Sequence, residues 1–175
     1  NFGDITALNI NDGSLQWQTP TQSNDNLINS FSLNNSDLIF DKNTIYFSNN
    51  KNELFALDAN TGIIKWKQNI NSSLKPTVSE EYLFTISNEG YLFVIETNSG
   101  KILRITDAFR NLKKKYKFKP TGFILAKNKI YLSTNRGLMI KINIINGEIE
   151  NIYKLNNSKI SRSFINNKSI YVIKN

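Results

Sequence analysis

The chain has 175 residues, long enough for a real core, and 39% hydrophobic with 11% aromatic content argues against disorder. It contains neither cysteine nor histidine, which removes disulfides, thiolate metal sites, the cysteine nucleophile and the commonest general base. The formal charge is +8, from 22 basic and 14 acidic residues. Asn, Ile and Lys dominate and no arginine cluster accompanies the lysines, so the excess reads as coding bias before it reads as a polyanion site.

In chain order, the first recognisable unit is a hairpin over residues 7–17, with Asp12-Gly13 at its turn. Asn or Asp starts such a turn and Gly supplies the positive φ it needs. Short strands follow at 37–40 and 44–48, then a second hairpin over 56–66 turning at Thr61-Gly62. Here Leu54 and Ala56 share one face of a strand, and Phe55 and Leu57 the other. The same succession recurs: strands at 76–78 and 82–87, then a hairpin at Ser99-Gly100. It recurs again at 120–125 and 129–133, with a hairpin at Asn146-Gly147. The glycines Gly13, Gly62, Gly100 and Gly147 stand at intervals of 49, 38 and 47 residues, close to the roughly 40–50 of propeller blades. Strands at 163–165 and 169–173 close the chain. No segment has helical periodicity, and each unit holds about four short strands, so the expected fold is an all-β propeller of about four blades within one domain, 1–175.

The second repeat reads Ala-x-Asp-x-x-Thr-Gly-x-x-x-Trp on Ala56, Asp58, Thr61, Gly62 and Trp66. This resembles the tryptophan-docking motif of pyrroloquinoline-quinone (PQQ) type propellers. The first repeat keeps Ala7, Gly13 and Trp17; the third keeps Gly100 but ends in Arg104; the fourth keeps Gly147 but ends in Asn151. The resemblance implies that Trp17 and Trp66 are structural staples between blades, and that Arg104 and Asn151 leave weaker junctions.

The tail stops before a glycine hairpin and the head begins with one, so tail and head together make one blade. The abrupt opening at Asn1-Phe2-Gly3, without Met, suggests a fragment or processed product. Part of a seven- or eight-blade ring, a closed four-blade ring, and a homodimer completing an eight-blade ring all fit this pattern.

A PQQ dehydrogenase, by resemblance, needs a calcium site, a catalytic Asp and a quinone held by tryptophan and a vicinal cysteine pair. Asp37, Asp41, Glu80, Glu81 and Asp107 have no metal-loop spacing, and the glycines stand alone in hairpins rather than in a phosphate loop. No catalytic residue, cofactor or metal is therefore expected. Among cofactor-free propellers the chain is most similar to the BamB type, the scaffold lipoproteins of outer-membrane β-barrel assembly. That likeness implies a periplasmic protein-binding scaffold whose partner is a barrel-assembly protein's periplasmic domains. No apolar run reaches a membrane span and no signal peptide is visible. The alternatives are a sensing or interaction propeller of a larger protein and, less favoured, a quinone enzyme.

Candidate contact stretches are 22–32, 107–119 and 156–162, the second carrying Lys113, Lys114, Lys115 and Lys117. Those lysines suit a partner-contact loop. The plainer expectation, which is preferred, is a solvated inter-blade loop entering an edge strand, a strand that the alternation of Lys115, Lys117 and Lys119 with Tyr116 and Phe118 suits.

Overall fold

The computed structural model describes residues 4–21, 36–49 and 52–174. Every sheet is antiparallel. A hairpin of β1 (Asp4–Leu8) and β2 (Leu15–Pro20) comes first. Three four-stranded meanders follow. They are β3 (Ile39–Asp41), β4 (Thr44–Ser48), β5 (Leu54–Asp58) and β6 (Ile64–Gln68); then β7 (Thr77–Ser79), β8 (Tyr82–Ile86), β9 (Tyr91–Glu96) and β10 (Ile102–Asp107); then β11 (Pro120–Ala126), β12 (Lys129–Thr134), β13 (Leu138–Asn143) and β14 (Ile149–Lys154). The chain ends in a pair, β15 (Phe164–Asn166) and β16 (Ser169–Tyr171). Head hairpin and tail pair are separate two-stranded sheets, and the sheets do not close on one another.

The repeat is exact at the level of the turn. Gly13, Gly62, Gly100 and Gly147 have φ of 71°, 72°, 71° and 75°, a region open to glycine at little cost. Each donates its N–H to the carbonyl four residues earlier, on Asn9, Asp58, Glu96 and Asn143, at 2.8–2.9 Å. The residue before each glycine turns a side-chain oxygen back to the following N–H. Asp12 accepts from Ser14, Thr61 from Ile63, Ser99 from Lys101 and Asn146 from Glu148. The motif's polar positions are thus explained by local hydrogen bonding that fixes the turn. Behind every turn the two strands slip register by one residue, next to the pairs Ala7–Trp17, Ala56–Trp66, Val94–Arg104 and Lys141–Asn151. This bulge adds local twist and holds Trp17, Trp66, Arg104 and Asn151 in one structural position.

The core lies between sheets. Leu54 and Ala56 face Trp66, Ile70, Leu83 and Ile95 on one side of β5. Phe55 and Leu57 pack with Phe47 and Ile5 on the other. A larger cluster joins the second and third meanders through Phe84, Leu92, Phe109, Phe123, Leu132 and Ile140. Central strands are therefore apolar on both faces, and β5 is buried at four of its five positions. Among the described residues, no helix is long and apolar enough to cross a membrane.

Candidate functional site: the blade junctions and the lysine turn

The turns at Gly62, Gly100 and Gly147 each form a seat, and the sheet before each supplies the occupant. The Trp17 indole lies on Gly62, where an added Cβ would come within 2.5 Å of Cε3. Its Nε1–H donates to Ala59 O at 3.0 Å, and Thr19 Oγ1 donates to Gly62 O at 2.7 Å. One junction on, Trp66 lies on Gly100 and donates Nε1–H to Thr97 O at 2.7 Å. Gln68 Nε2 donates to Gly100 O at 2.7 Å. Ala59 and Thr97 are each three residues before their glycine, so both indoles read the same carbonyl. Trp66 is 9% exposed and tilts against Tyr46 at 5.8 Å, burying a large apolar area while satisfying its polar edge.

At the third junction, where a weaker staple is expected, the seat is filled by a different side chain. Arg104 lies on Gly147, with Cδ and Nε 3.2 Å from an added Cβ. Its Nη2 donates to Ile144 O, again three residues before the glycine, and Nη1 donates to Ile145 O at 2.6 Å. A planar guanidinium reproduces the indole's place because it too is flat and carries N–H groups at its edge. The exchange has an electrostatic cost. Arg104 Nε is buried without a hydrogen-bond partner, and desolvation lowers the guanidinium's pKa from its usual value. The outer positions remain open: among the described residues nothing lies within 4 Å of a Cβ added to Gly13, and Asn151 is exposed on β14.

The segment after β10 is a loop leading into the edge strand β11, but the alternating residues 115–119 precede that strand instead of forming it. Lys114 adopts the left-handed conformation at φ 56°, and Lys115–Lys117 form a 3-10 turn. Alternation would have buried both Tyr116 and Phe118. Only Phe118 finds a seat, against Phe109 at 5.9 Å, while Tyr116 stays 76% exposed. The turn is fastened from the next sheet. Lys119 N–H donates to Asn135 Oδ1 at 2.8 Å, and Arg136 Nε–H donates to Lys117 O at 3.1 Å. Lys115 Nζ meets Asp107 Oδ2 at 2.9 Å, a hydrogen bond that raises the lysine's pKa. Lys113, Lys114 and Lys117 are exposed. Beside the turn runs a groove of about 560 Å³ lined by Asn71, Glu89, Tyr91, Asp107, Tyr116 and Phe118.

Of the other expected contact stretches, 22–32 lies outside the described residues. The stretch 156–162 is anchored at Ile160, which is fully buried and whose carbonyl accepts from Thr121 Oγ1 at 2.8 Å, while residues 157–159 are exposed. Among the described residues, no three His, Cys, Asp or Glu side chains gather as a metal site.

Successive four-stranded meanders, each docking on the next through a glycine turn, define the chain as a β-propeller of PQQ-like repeats. A family model described as outer membrane protein assembly factor BamB matches residues 1–106, more than half of the sequence, and the chain belongs to that family. A curated BamB from Legionella pneumophila (strain Paris) is 27% identical over 107 residues, covering 58% of this chain and 24% of the relative. The crystal structure of BamB from Moraxella catarrhalis superposes with a TM-score of 0.69 at 15% identity, over 97% of this chain and 49% of that one. The fold is shared more widely: quinohemoprotein alcohol dehydrogenase from Comamonas testosteroni matches with a TM-score of 0.58 at 14% identity, over 67% of this chain and 20% of that one. The chain thus spans about a quarter of its curated relative and about half of the BamB structure.

Proposed function

We propose that this chain is part of a non-catalytic scaffold of the BamB type, supporting assembly and insertion of β-barrel proteins into the outer membrane from the periplasm. Its whole form is then an outer-membrane lipoprotein. The observation that carries this is the commitment of the repeat's chemistry to architecture. Both indoles are spent on carbonyls of the following turn, so neither is free to floor a quinone. The surface left for work is that of loops between blades, led by the lysine turn, where a rigid scaffold characteristically carries its contacts. The partner is a protein, with the periplasmic domains of a barrel-assembly protein as the first candidate. Two copies offer a second association, in which the open β1–β2 hairpin of one completes the β15–β16 pair of the other.

Immobilised chain incubated with purified periplasmic domains of a barrel-assembly protein tests the main reading. Retention that Lys113→Glu/Lys114→Glu abolishes supports it. No retention, together with quinone- and calcium-dependent dye reduction, overturns it in favour of an enzyme. Sedimentation of the same sample reports whether the 20.1 kDa chain pairs with itself.

A further inference from the structure

We infer that the groove roofed by the lysine turn binds an acidic peptide segment anchored by an aromatic or aliphatic side chain. The inference deepens the scaffold reading by giving the partner's chemistry, and it rests on that reading for the partner being a protein.

The first argument is preorganisation. Asn135 and Arg136 hold the backbone of the turn from the neighbouring sheet, and Phe118 pins its far end onto Phe109. Phe109 in turn covers Gly90 so closely that an added Cβ would stand 2.3 Å from its ring. Tyr116 is therefore an exposed aromatic on a fixed backbone. Such a side chain loses little conformational freedom on binding and is a common interface anchor.

The second argument is charge. The two carboxylates lining the groove are already engaged, Asp107 with Lys115 at 2.9 Å and Glu89 with Asn71 Nδ2 at 2.7 Å. Among the described residues, no carboxylate lies within ion-pair distance of Lys113, Lys114, Lys117 or Lys119. Lys115 and Lys119 balance the two carboxylates in the groove's lining, and the exposed Lys113, Lys114 and Lys117 on the same turn add net positive charge beside a floor of Tyr91, Tyr116 and Phe118. Opposite charge there steers encounter, while the apolar floor supplies burial.

The third argument separates a peptide from other polyanions. Glu89 sits inside the groove with only the neutral Asn71 amide on its carboxylate, and opposes a continuous phosphate backbone along it. A peptide can place its acids against the lysines and its apolar side chain over Tyr91, Tyr116 and Phe118, clear of Glu89. The recess between sheets also fits an inserted side chain better than it fits a flat lipid surface.

The test uses the whole chain and a short fluorescent peptide of Glu and Asp around a central Trp, with a Lys-substituted peptide as control. Anisotropy is expected to show binding of the acidic peptide alone, weakening as salt rises. Lys113→Glu/Lys114→Glu should reduce it about tenfold or more, and Tyr116→Ala severalfold, with Tyr116→Phe retaining it. Both altered surfaces are exposed, so an unchanged thermal transition verifies folding. Equal binding of both peptides, absence of binding, or tighter binding of single-stranded oligonucleotide or phosphatidylglycerol vesicles overturns the inference. Acidic-peptide binding without retention of the barrel-assembly domains would sink the scaffold partner but keep the groove. The reverse result would move the contact elsewhere.

Discussion

The Trp66 junction and the Arg104 junction are two solutions to one geometric problem. Both place a flat group over a glycine with positive φ, and both send an N–H to the carbonyl three residues before it. They differ in what lies beneath that bond. The indole contributes mostly apolar burial, with a single donor to satisfy. The guanidinium contributes two carbonyl contacts but takes a charge out of water and leaves Nε without a partner. The seat is thus specified by backbone, and its occupant is free to vary as long as it is planar and donates at its edge.

The largest break in that comparison should come from Trp66→Ala, expected to destabilise by about 3–5 kcal/mol in chemical denaturation. Arg104→Ala should cost less, roughly 1–3 kcal/mol, because the loss of its hydrogen bonds is partly offset by relief of desolvation. Equal losses at the two sites would show that the seats are energetically alike. Next come the glycines. Gly62→Ala drives a methyl into the Trp17 ring and should cost roughly 2–4 kcal/mol, whereas Gly13→Ala, with nearly the same φ and open space, should cost only about 1 kcal/mol. The difference isolates docking from backbone strain, and a Gly13 effect that grew with protein concentration would reveal a second copy in that seat.

Arg104→Lys sharpens the comparison on a finer scale. Lysine keeps the charge but loses the planar fork, so it should fall between Arg and Ala. The smallest effect concerns acid. Partial burial pushes the Asp58 carboxyl upward, but N–H groups of Asn60 and Thr61 and the Lys65 ammonium outweigh it and hold the pKa below the usual carboxylate value. A depressed pKa means that this contribution is present above the ordinary carboxylate range and disappears as pH falls through it. Asp58→Asn should therefore lower the melting temperature modestly at neutral pH and flatten its decline below about pH 4.

The turns were legible in sequence because their chemistry is local. A glycine flanked by Asp, Thr, Ser or Asn allows few other conformations, and the apolar alternation at 54–57 places its four side chains on the faces they occupy. Arg104 was not legible. Its role depends on the carbonyl of Ile144, and no spacing rule says that an arginine can take an indole's place. The lysine segment misled because period-two alternation over five residues is equally compatible with a turn. In the turn Phe118 packs against Phe109, while Tyr116 is left exposed. The groove was hidden for a related reason: Asn71, Tyr91 and Phe118 come from segments that meet only through sheet packing.

Because the seats are built from main-chain carbonyls and a bare Cα, each repeat recognises its neighbour by shape that nearly any copy of the repeat carries. A duplicated unit would dock on arrival, without a matching change in the unit beside it. Molecules assembled on that rule can lengthen by tandem copying first and diverge afterwards, one junction at a time. The replacement of an indole by Arg104 is the kind of drift such tolerance permits.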